Sequence, residues 1–374
     1  MDRAELTALA RATGCAVERG GAVFLCDPQA SADERAQMEA LMSRAGGWTN
    51  RDEGWLGVRT GGTGGVVKFA RHDQATLGAA VRGFCAHFGL GRVNAVDVLP
   101  PHHVSGLMAR VRCAATGGLH LAWDWKRLEA GETPPPREGD WVVSLVPTQL
   151  HRLMQTPRAV DWLRSLRVIF VGGGPLWAEL AEAAALAGLR LAPSYGLTET
   201  AAMVAALRPE EFLACARSCG AALPHARLSV AGDGVVQVAG DSLFRGYWPE
   251  QSAARMFATE DLGAIDARGH LTILGRRDAM IVTGGKKVSP AEVEAALRGS
   301  GEFEDVAVIG VPDPEWGEAV VACYPEDGRA PDATRAAVAL PPHARPKRYV
   351  AVRKWPRNAQ GKIDRAALRR QVAP

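Results

Sequence analysis

Short apolar runs alternate with amphipathic stretches through the middle of the chain. Trp141-Val-Val-Ser-Leu-Val146 and Arg167-Val-Ile-Phe-Val171 have the length and apolar continuity of buried strands. Thr148 is placed to cap a short helix after the first of them. After the second come Gly172-Gly173-Gly174-Pro175 and a stretch from about Leu176 to Ala187 that predicts a helix stopped by Gly188, then a further strand at Leu189-Arg-Leu-Ala192. Strand–helix–strand with short connections implies a parallel sheet and an α/β fold. Such sheets bind ligands at the C-terminal ends of their strands, where Gly172–Gly174 and Tyr195–Thr200 fall. Pro134-Pro135-Pro136 marks residues 131–139 as a loop.

The pattern changes after Arg276. His270–Leu274, Met280–Val282, Val306–Ile309 and Val320–Cys323 predict short strands. Ser289-Pro290-Ala291-Glu292 reads as a helix start with proline at its first position, and a last helix is expected from Asp364. The expected organisation is a large α/β domain over residues 1–276 and a small, mobile α+β domain over 277–374 that carries the catalytic lysine. Residues 1–50 yield no assignment.

Composition narrows the class. With 374 residues, 47% of them hydrophobic and 23% charged, the chain can bury a sizeable core. A net charge of +3, with arginines spread out, argues against a nucleic-acid partner. No apolar run approaches the ~18 residues of a membrane helix, and Met1-Asp2-Arg3-Ala4-Glu5 does not resemble a signal peptide. The seven cysteines are irregularly spaced, and only Cys215 and Cys219 lie close together, which disfavours a zinc site and suits a reducing cytoplasm. There is no internal repeat, and a homo-oligomer is compatible with everything above.

Five segments carry candidate chemistry. Thr60-Gly61-Gly62-Thr63-Gly64-Gly65-Val66-Val67-Lys68 lies between two strand-like flanks, and its small residues let backbone N–H groups approach phosphate. It is not a Walker loop, and alone it reads as readily as a glycine-rich hairpin. His102-His103-Val104-Ser105-Gly106 opens an amphipathic stretch; a histidine there can line an acid pocket or simply be structural. Arg112 and Arg110 compete for a place in the same pocket, because nine residues of helix put His103 and Arg112 on different faces.

In Ser194-Tyr195-Gly196-Leu197-Thr198-Glu199-Thr200, an aromatic ring suited to a purine, two hydroxyls suited to phosphate and a hard carboxylate suited to Mg²⁺ follow one another. Thr259-Glu260-Asp261-Leu262-Gly263 and Gly275-Arg276-Arg277-Asp278 offer a carboxylate for ribose hydroxyls and a guanidinium beside it, or else a surface ion pair. Pro356-Arg-Asn-Ala-Gln-Gly361-Lys362 presents one lysine that can stabilise charge on a transferring acyl phosphate.

Each segment alone is modest. Their order resembles the adenylate-forming superfamily of acyl-CoA synthetases, peptide-synthetase adenylation domains and luciferases, over about residues 55–370. Within it the chain is similar to the short o-succinylbenzoate–CoA ligases of menaquinone and phylloquinone biosynthesis. This likeness rests on Lys68-Phe-Ala-Arg-His72, His103-Val-Ser-Gly-Leu-Met108 with Arg112, Leu191–Ala201 and Leu223-Pro-His-Ala226. The resemblance implies ATP, Mg²⁺ and CoA as co-substrates and cofactor, and 2-succinylbenzoate as the acid. It implies catalytic roles for Lys362, Glu199 and Thr198, with Glu199 on the metal. Thr60, Gly61, Gly62, Thr63, Gly64, Gly65, Lys68, Tyr195, Gly196, Thr200, Asp261 and Arg276 would hold the nucleotide. His103, Ser105, Arg112, Gly172, Gly173 and Gly174 would line the acid pocket, Asp278 would be the hinge, and Gly284-Gly285 the loop on the CoA side. Two departures stand out: Gly61, Thr63 and Gly64 leave fewer hydroxyls than the family loop carries, and little sequence precedes that loop. The rival readings are a ligase for another aryl or fatty acid or for a carrier protein, and a catalytically inactive nucleotide-binding module.

Overall fold

The computed structural model describes residues 1–44, 53–60, 67–135, 138–250, 255–303, 305–326, 331–357 and 363–372. The chain divides into two compact units. The first comprises 1–229, 237–258 and 265–272, and the second 230–236, 259–264 and 273–374. The main division therefore falls at 272/273, and two short strand segments from earlier in the chain join the second unit.

The central sheet of the first unit has the order Ala221–Ala222, Ala202–Ala206, Leu191–Leu197, Val168–Val171, Trp141–Leu145, Asn94–Asp97, His120–Ala122. The strands from Leu191–Leu197 onward run parallel, and the first two are antiparallel. The reason the strands read as unbroken apolar runs is visible in their faces. Trp141, Val143, Leu145, Ile169 and Val171 pack into one core with Leu150, Leu163 and Leu180. Val142, Val168 and Phe170 pack into another with Phe84 and Phe88. Side chains alternate across a strand, so a sheet covered on both faces needs apolar residues at every position. Phe84, Phe88 and Phe170 meet with centroids 4.9–5.1 Å apart in tilted and edge-on pairs.

The expected helix after Gly174 spans Ala178–Leu186 and ends before Gly188, whose φ is +70°. Two expectations shift. The helix after Trp141–Leu145 starts at Pro147, and Gln149 Oε1, not Thr148, accepts from the Val146 N–H at the start of the helix, at 3.0 Å. The strand foreseen at Leu189–Ala192 runs on to Leu197, so Tyr195 and Gly196 belong to it.

The N-terminal residues form a second sheet with the order Ala16–Arg19, Ala22–Leu25, Leu56–Arg59, Phe69–His72. Its flanking helices, Arg3–Arg11 and Ala32–Met42, each open on a capping box, Asp2 with Glu5 and Ser31 with Glu34. The glycine-rich segment joins two antiparallel strands, as expected, and Thr60 N–H donates to Lys68 O at 3.0 Å across its base.

A third sheet, Ala226–Val230, Val235–Gly240, Met256–Ile265 and Leu271–Arg276, contributes residues to both units. The rest of the second unit is α+β. The strands Lys286–Val288, Ile281–Thr283, Gly317–Pro325 and Ala307–Asp313 pair antiparallel, and Arg348–Val352 joins Gly317–Pro325 in parallel. Ser289 caps the helix Pro290–Gly299 through Glu292 N–H, as its sequence predicts. Among the described residues, no helix is long and apolar enough to cross a membrane.

Candidate active site

The turn after Leu191–Leu197 is the best-defined part of the site. A single 3₁₀ turn, Thr198–Thr200, is followed by Ala201 and Ala202 at φ +53° and +75°. Left-handed backbone at a non-glycine costs roughly 1–2 kcal/mol, so the surroundings must impose it. Thr200 Oγ1 lies 2.6 Å from Ala202 O and 3.0 Å from Leu197 O, which share its one proton, and it accepts from Leu197 N–H at 2.9 Å. Its hydroxyl braces the turn. Gly196 is required by space: a Cβ there would sit 1.9 Å from Ala202 O.

Two other segments grip this turn. The His72 ring is fully buried and lies 2.7 Å from Thr198 O through Nε2 and 3.1 Å from Thr76 Oγ1 through Nδ1. Burial drives its pKa down to about 4, so the ring is neutral near pH 7, and a carbonyl partner requires the proton on Nε2. Phe244 N–H donates to Glu199 O at 2.8 Å, and Tyr247 Oη donates to Glu199 Oε1 at 2.7 Å. Burial and the Glu199 carboxylate push the Tyr247 phenol up, so it keeps its proton and acts as donor. Lys68 Nζ stands 5.0 Å from the centroid of the Tyr247 ring. Asp73 and Arg245 link the two gripping segments at 2.7 Å. Burial alone would raise the Asp73 carboxyl, but Arg245 and the Thr76 N–H hold it below its ordinary value. Tyr247 and His72 had no assigned role in the sequence reading; neither stands near Glu199 in the chain, and no periodicity marks them.

Gly172, Gly173 and Gly174 follow Val168–Val171 and open toward solvent, with Gly173 at φ +75°. His103 is the N-cap of the helix Val104–Ala115, Ser105 sits half-buried in its first turn, and the His102 and His103 rings are 4.3 Å apart. The two arginines of that helix part company. Arg110 Nε comes within 4.0 Å of Asp97 Oδ2. Arg112 turns inward and lays its guanidinium 4.0 Å over the Phe84 ring, beside a small cavity lined also by Ala109, Val142, Ser144 and Phe170. Burial lowers the Arg112 pKa to about 10, and Nε has no hydrogen-bond partner. It forms no ion pair among the described residues, which leaves a desolvated cation suited to an incoming carboxylate.

The second unit holds the other candidate group. Asp261 is buried at the strand Met256–Ile265, its N–H bonded to Thr259 Oγ1 at 3.0 Å. Arg276 NH1 lies 3.6 Å from Asp261 Oδ1, while Arg276 also grips Asp278 with two bonds of 2.8 and 2.6 Å. Asp278, the expected hinge, is thus one jaw of an ion pair in the short turn Arg277–Ala279. Gly284 and Gly285, at φ +54° and +75°, make the tight turn between Ile281–Thr283 and Lys286–Val288. A Cβ at Gly284 would press to 3.0 Å on the Trp316 ring, over which Lys347 Nζ lies at 4.3 Å. Gly61, Gly62, Thr63, Gly64, Gly65 and Lys362 lie outside the described residues.

A parallel α/β sheet with a braced acidic turn beyond its strands, joined to an α+β unit, is the architecture of adenylate-forming enzymes. The AMP-binding enzyme family model matches residues 56–248, and the AMP-binding enzyme C-terminal domain matches 292–362. The chain belongs to the AMP-binding enzymes. It is 35% identical over 341 residues to a probable 2-succinylbenzoate–CoA ligase of Mycobacterium tuberculosis, covering 86% of this chain and 85% of that one. It is 32% identical over 369 residues to the indoleacetate–CoA ligase of Aromatoleum aromaticum, covering 90% and 72%. Among solved structures it is similar to an E. coli MenE with bound OSB-AMS, with a TM-score of 0.71 and 27% identity over 85% of this chain and 69% of that one.

Proposed function

We propose that this enzyme ligates 2-succinylbenzoate to CoA at the expense of ATP, as a step of menaquinone-type quinone synthesis. A carboxylate oxygen attacks the α-phosphorus of ATP, the bond to pyrophosphate breaks, and an acyl-adenylate forms. The CoA thiol sulfur then attacks the acyl carbon, AMP leaves and the thiol proton is released. The observation that carries the reading is the Glu199 turn, a buried carboxylate held rigidly at the end of the parallel strand Leu191–Leu197. One carboxylate with an oxygen to spare fits Mg²⁺, which takes one or two protein carboxylates and completes its shell with phosphate and water. That ion would neutralise charge on the triphosphate.

In this reading Tyr195, Asp261 and Arg276 hold the adenosine, and Thr60, Lys68 and the glycine-rich segment hold the phosphates, with Thr198 beside Glu199. Lys362 serves the adenylation step. Asp278 is the hinge, and Gly284-Gly285 face the thiol in the second step. His103, Ser105 and Gly172–Gly174 line the aromatic acid, and Arg112 takes its unreactive carboxylate. We place the enzyme in the cytoplasm, in line with its free cysteines. The likeness to an indoleacetate–CoA ligase supports a second reading, an aryl-acetate substrate.

Carboxylate-dependent pyrophosphate release, followed by thioester detection with CoA, tests this on 2-succinylbenzoate, benzoate, indoleacetate and a fatty acid. The expected kcat/KM for 2-succinylbenzoate exceeds the others by about 10²-fold or more. Preference for indoleacetate would select the second reading. No release with any acid would leave the nucleotide-binding module.

A further inference from the structure

The segment Phe244–Trp248 lies in none of the motifs that suggested the function, yet it is built into the heart of the first unit. It runs antiparallel beside Phe69–His72: Arg245 N–H donates to Arg71 O at 2.8 Å, Arg71 N–H to Gly246 O at 3.0 Å and Trp248 N–H to Phe69 O at 2.9 Å. Phe69–His72 is the strand that leaves the glycine-rich segment, and Phe244 and Tyr247 both bond Glu199. One strap thus ties the exit of the phosphate loop to the metal-ligand turn.

Tyr247 is the residue where this tie reaches the chemistry. Its ring is set against the edge of Phe244, with centroids 4.9 Å apart at 67°, and the exposed Lys68 ammonium lies over it. The ring therefore has little freedom, and its hydroxyl has a fixed aim. Glu199 Oε1 accepts that hydroxyl at 2.7 Å, while Oε2 has no hydrogen-bond partner among the described residues. A terminal carboxylate torsion is intrinsically soft, so an unanchored Glu199 would sample a broad range of orientations. Anchoring one oxygen turns the other into a directed ligand.

We propose that Tyr247 is a positioning residue for adenylation, orienting Glu199 toward the metal-bound triphosphate and seating Lys68 beside it. This rests on the reading of the protein as a Mg²⁺·ATP-dependent ligase. It does not depend on which acid is the substrate.

The test uses the full chain, Tyr247→Phe, Glu199→Gln and the double variant. ATP binding is followed by calorimetry without any acid, over a range of Mg²⁺ concentrations. A hydrogen bond to a charged group is lost in Tyr247→Phe while the ring is kept. The Mg²⁺ needed for half-maximal ATP binding should therefore rise about ten-fold or more. ATP binding in the absence of Mg²⁺ and KM for 2-succinylbenzoate should stay at wild-type values, while the melting midpoint falls because Glu199 Oε1 loses its partner. The double variant should behave like Glu199→Gln alone, because Tyr247 acts through Glu199.

Unchanged Mg²⁺ dependence in Tyr247→Phe overturns the proposal, as do additive losses in the double variant. A uniform weakening toward ATP, acid and CoA also overturns it, since it marks the phenol as only structural. A wild-type chain that binds ATP with Mg²⁺ but ignores 2-succinylbenzoate removes the substrate assignment and leaves the Tyr247 result standing. A wild-type chain indifferent to Mg²⁺ overturns both.

Discussion

The Glu199 turn in the first unit and the Arg276 cluster in the second are both candidate nucleotide contacts, and they are built in opposite ways. The turn is held by a buried neutral histidine, a threonine hydroxyl, a backbone N–H and a phenol, all at 2.6–3.0 Å. Such bonds in a water-poor setting are costly to leave unmade, and they fix one geometry. The cluster relies on ion pairs between partly exposed groups. The Arg276 and Asp278 side chains are 38% and 35% accessible, and Arg277 with Glu260 50% and 46%. Pairs of this kind are worth about 0–1 kcal/mol and exchange partners readily. The contrast is between a geometry fixed by buried hydrogen bonds and a cluster held by solvent-screened charge pairs.

The largest expected effect separates the two steps. On the role proposed for Lys362, Lys362→Ala should lower adenylation by about 10²–10³-fold, the loss typical of a group that stabilises charge developing in a transition state. Thioester formation from preformed 2-succinylbenzoyl-AMP and CoA should persist. Equal loss in both half-reactions would erase the distinction between the units.

Next comes the pH response of the turn. His72 has a folded pKa of about 4 against 6.5 for the ordinary group. The unfolded chain therefore binds more protons between these values, and the contribution of His72 to stability falls as pH drops from about 6.5 to about 4, with no further loss from this group below that. The shift corresponds to about 3 kcal/mol for His72. His225, also driven to about 4 by burial, adds to the same window. Urea unfolding at pH 7 and pH 4.5 checks this. His72→Gln, which keeps a donor for Thr198 O, should show a shallower slope. An unchanged slope would remove His72 as the cause.

Arg112 lies close behind. Arg112→Met should raise KM for 2-succinylbenzoate by about 10–100-fold, the loss of a charge-assisted bond of ~1.5–3 kcal/mol. KM for ATP should stay the same. The melting midpoint should hold or rise, because an uncompensated buried charge is replaced by an apolar chain of similar reach. If Arg110→Met carries the KM effect instead, the arginine beside Asp97 is the one that meets the acid.

The smallest effect sharpens the other side of the comparison. Arg277→Ala breaks an exposed pair with Glu260 and should leave stability essentially unchanged. A clear drop in the denaturant midpoint would show that the cluster is as rigid as the turn.

Local chemistry was enough for much of this protein. The apolar runs at Trp141–Val146 and Arg167–Val171 declared strands buried on both faces, Gly188 declared a helix end, and Ser289-Pro290 declared a helix start. Each rests on neighbours within one turn or one strand. The capping boxes at Asp2–Glu5 and Ser31–Glu34 rest on equally local chemistry, in a region to which the sequence assigns no element. The sequence also placed Glu199 at the end of a parallel strand, because strand order and loop length determine where that end lies. It did not show what holds Glu199. Tyr247 lies 48 residues away, and His72 lies 126 residues from Thr198. No periodicity spans such distances, since only packing of the whole chain brings those groups within a hydrogen bond. The same holds for Arg112. Helical spacing separated it from His103, but only the tertiary structure, by setting Phe84 against that face of the helix, decided that Arg112 turns inward while Arg110 approaches Asp97.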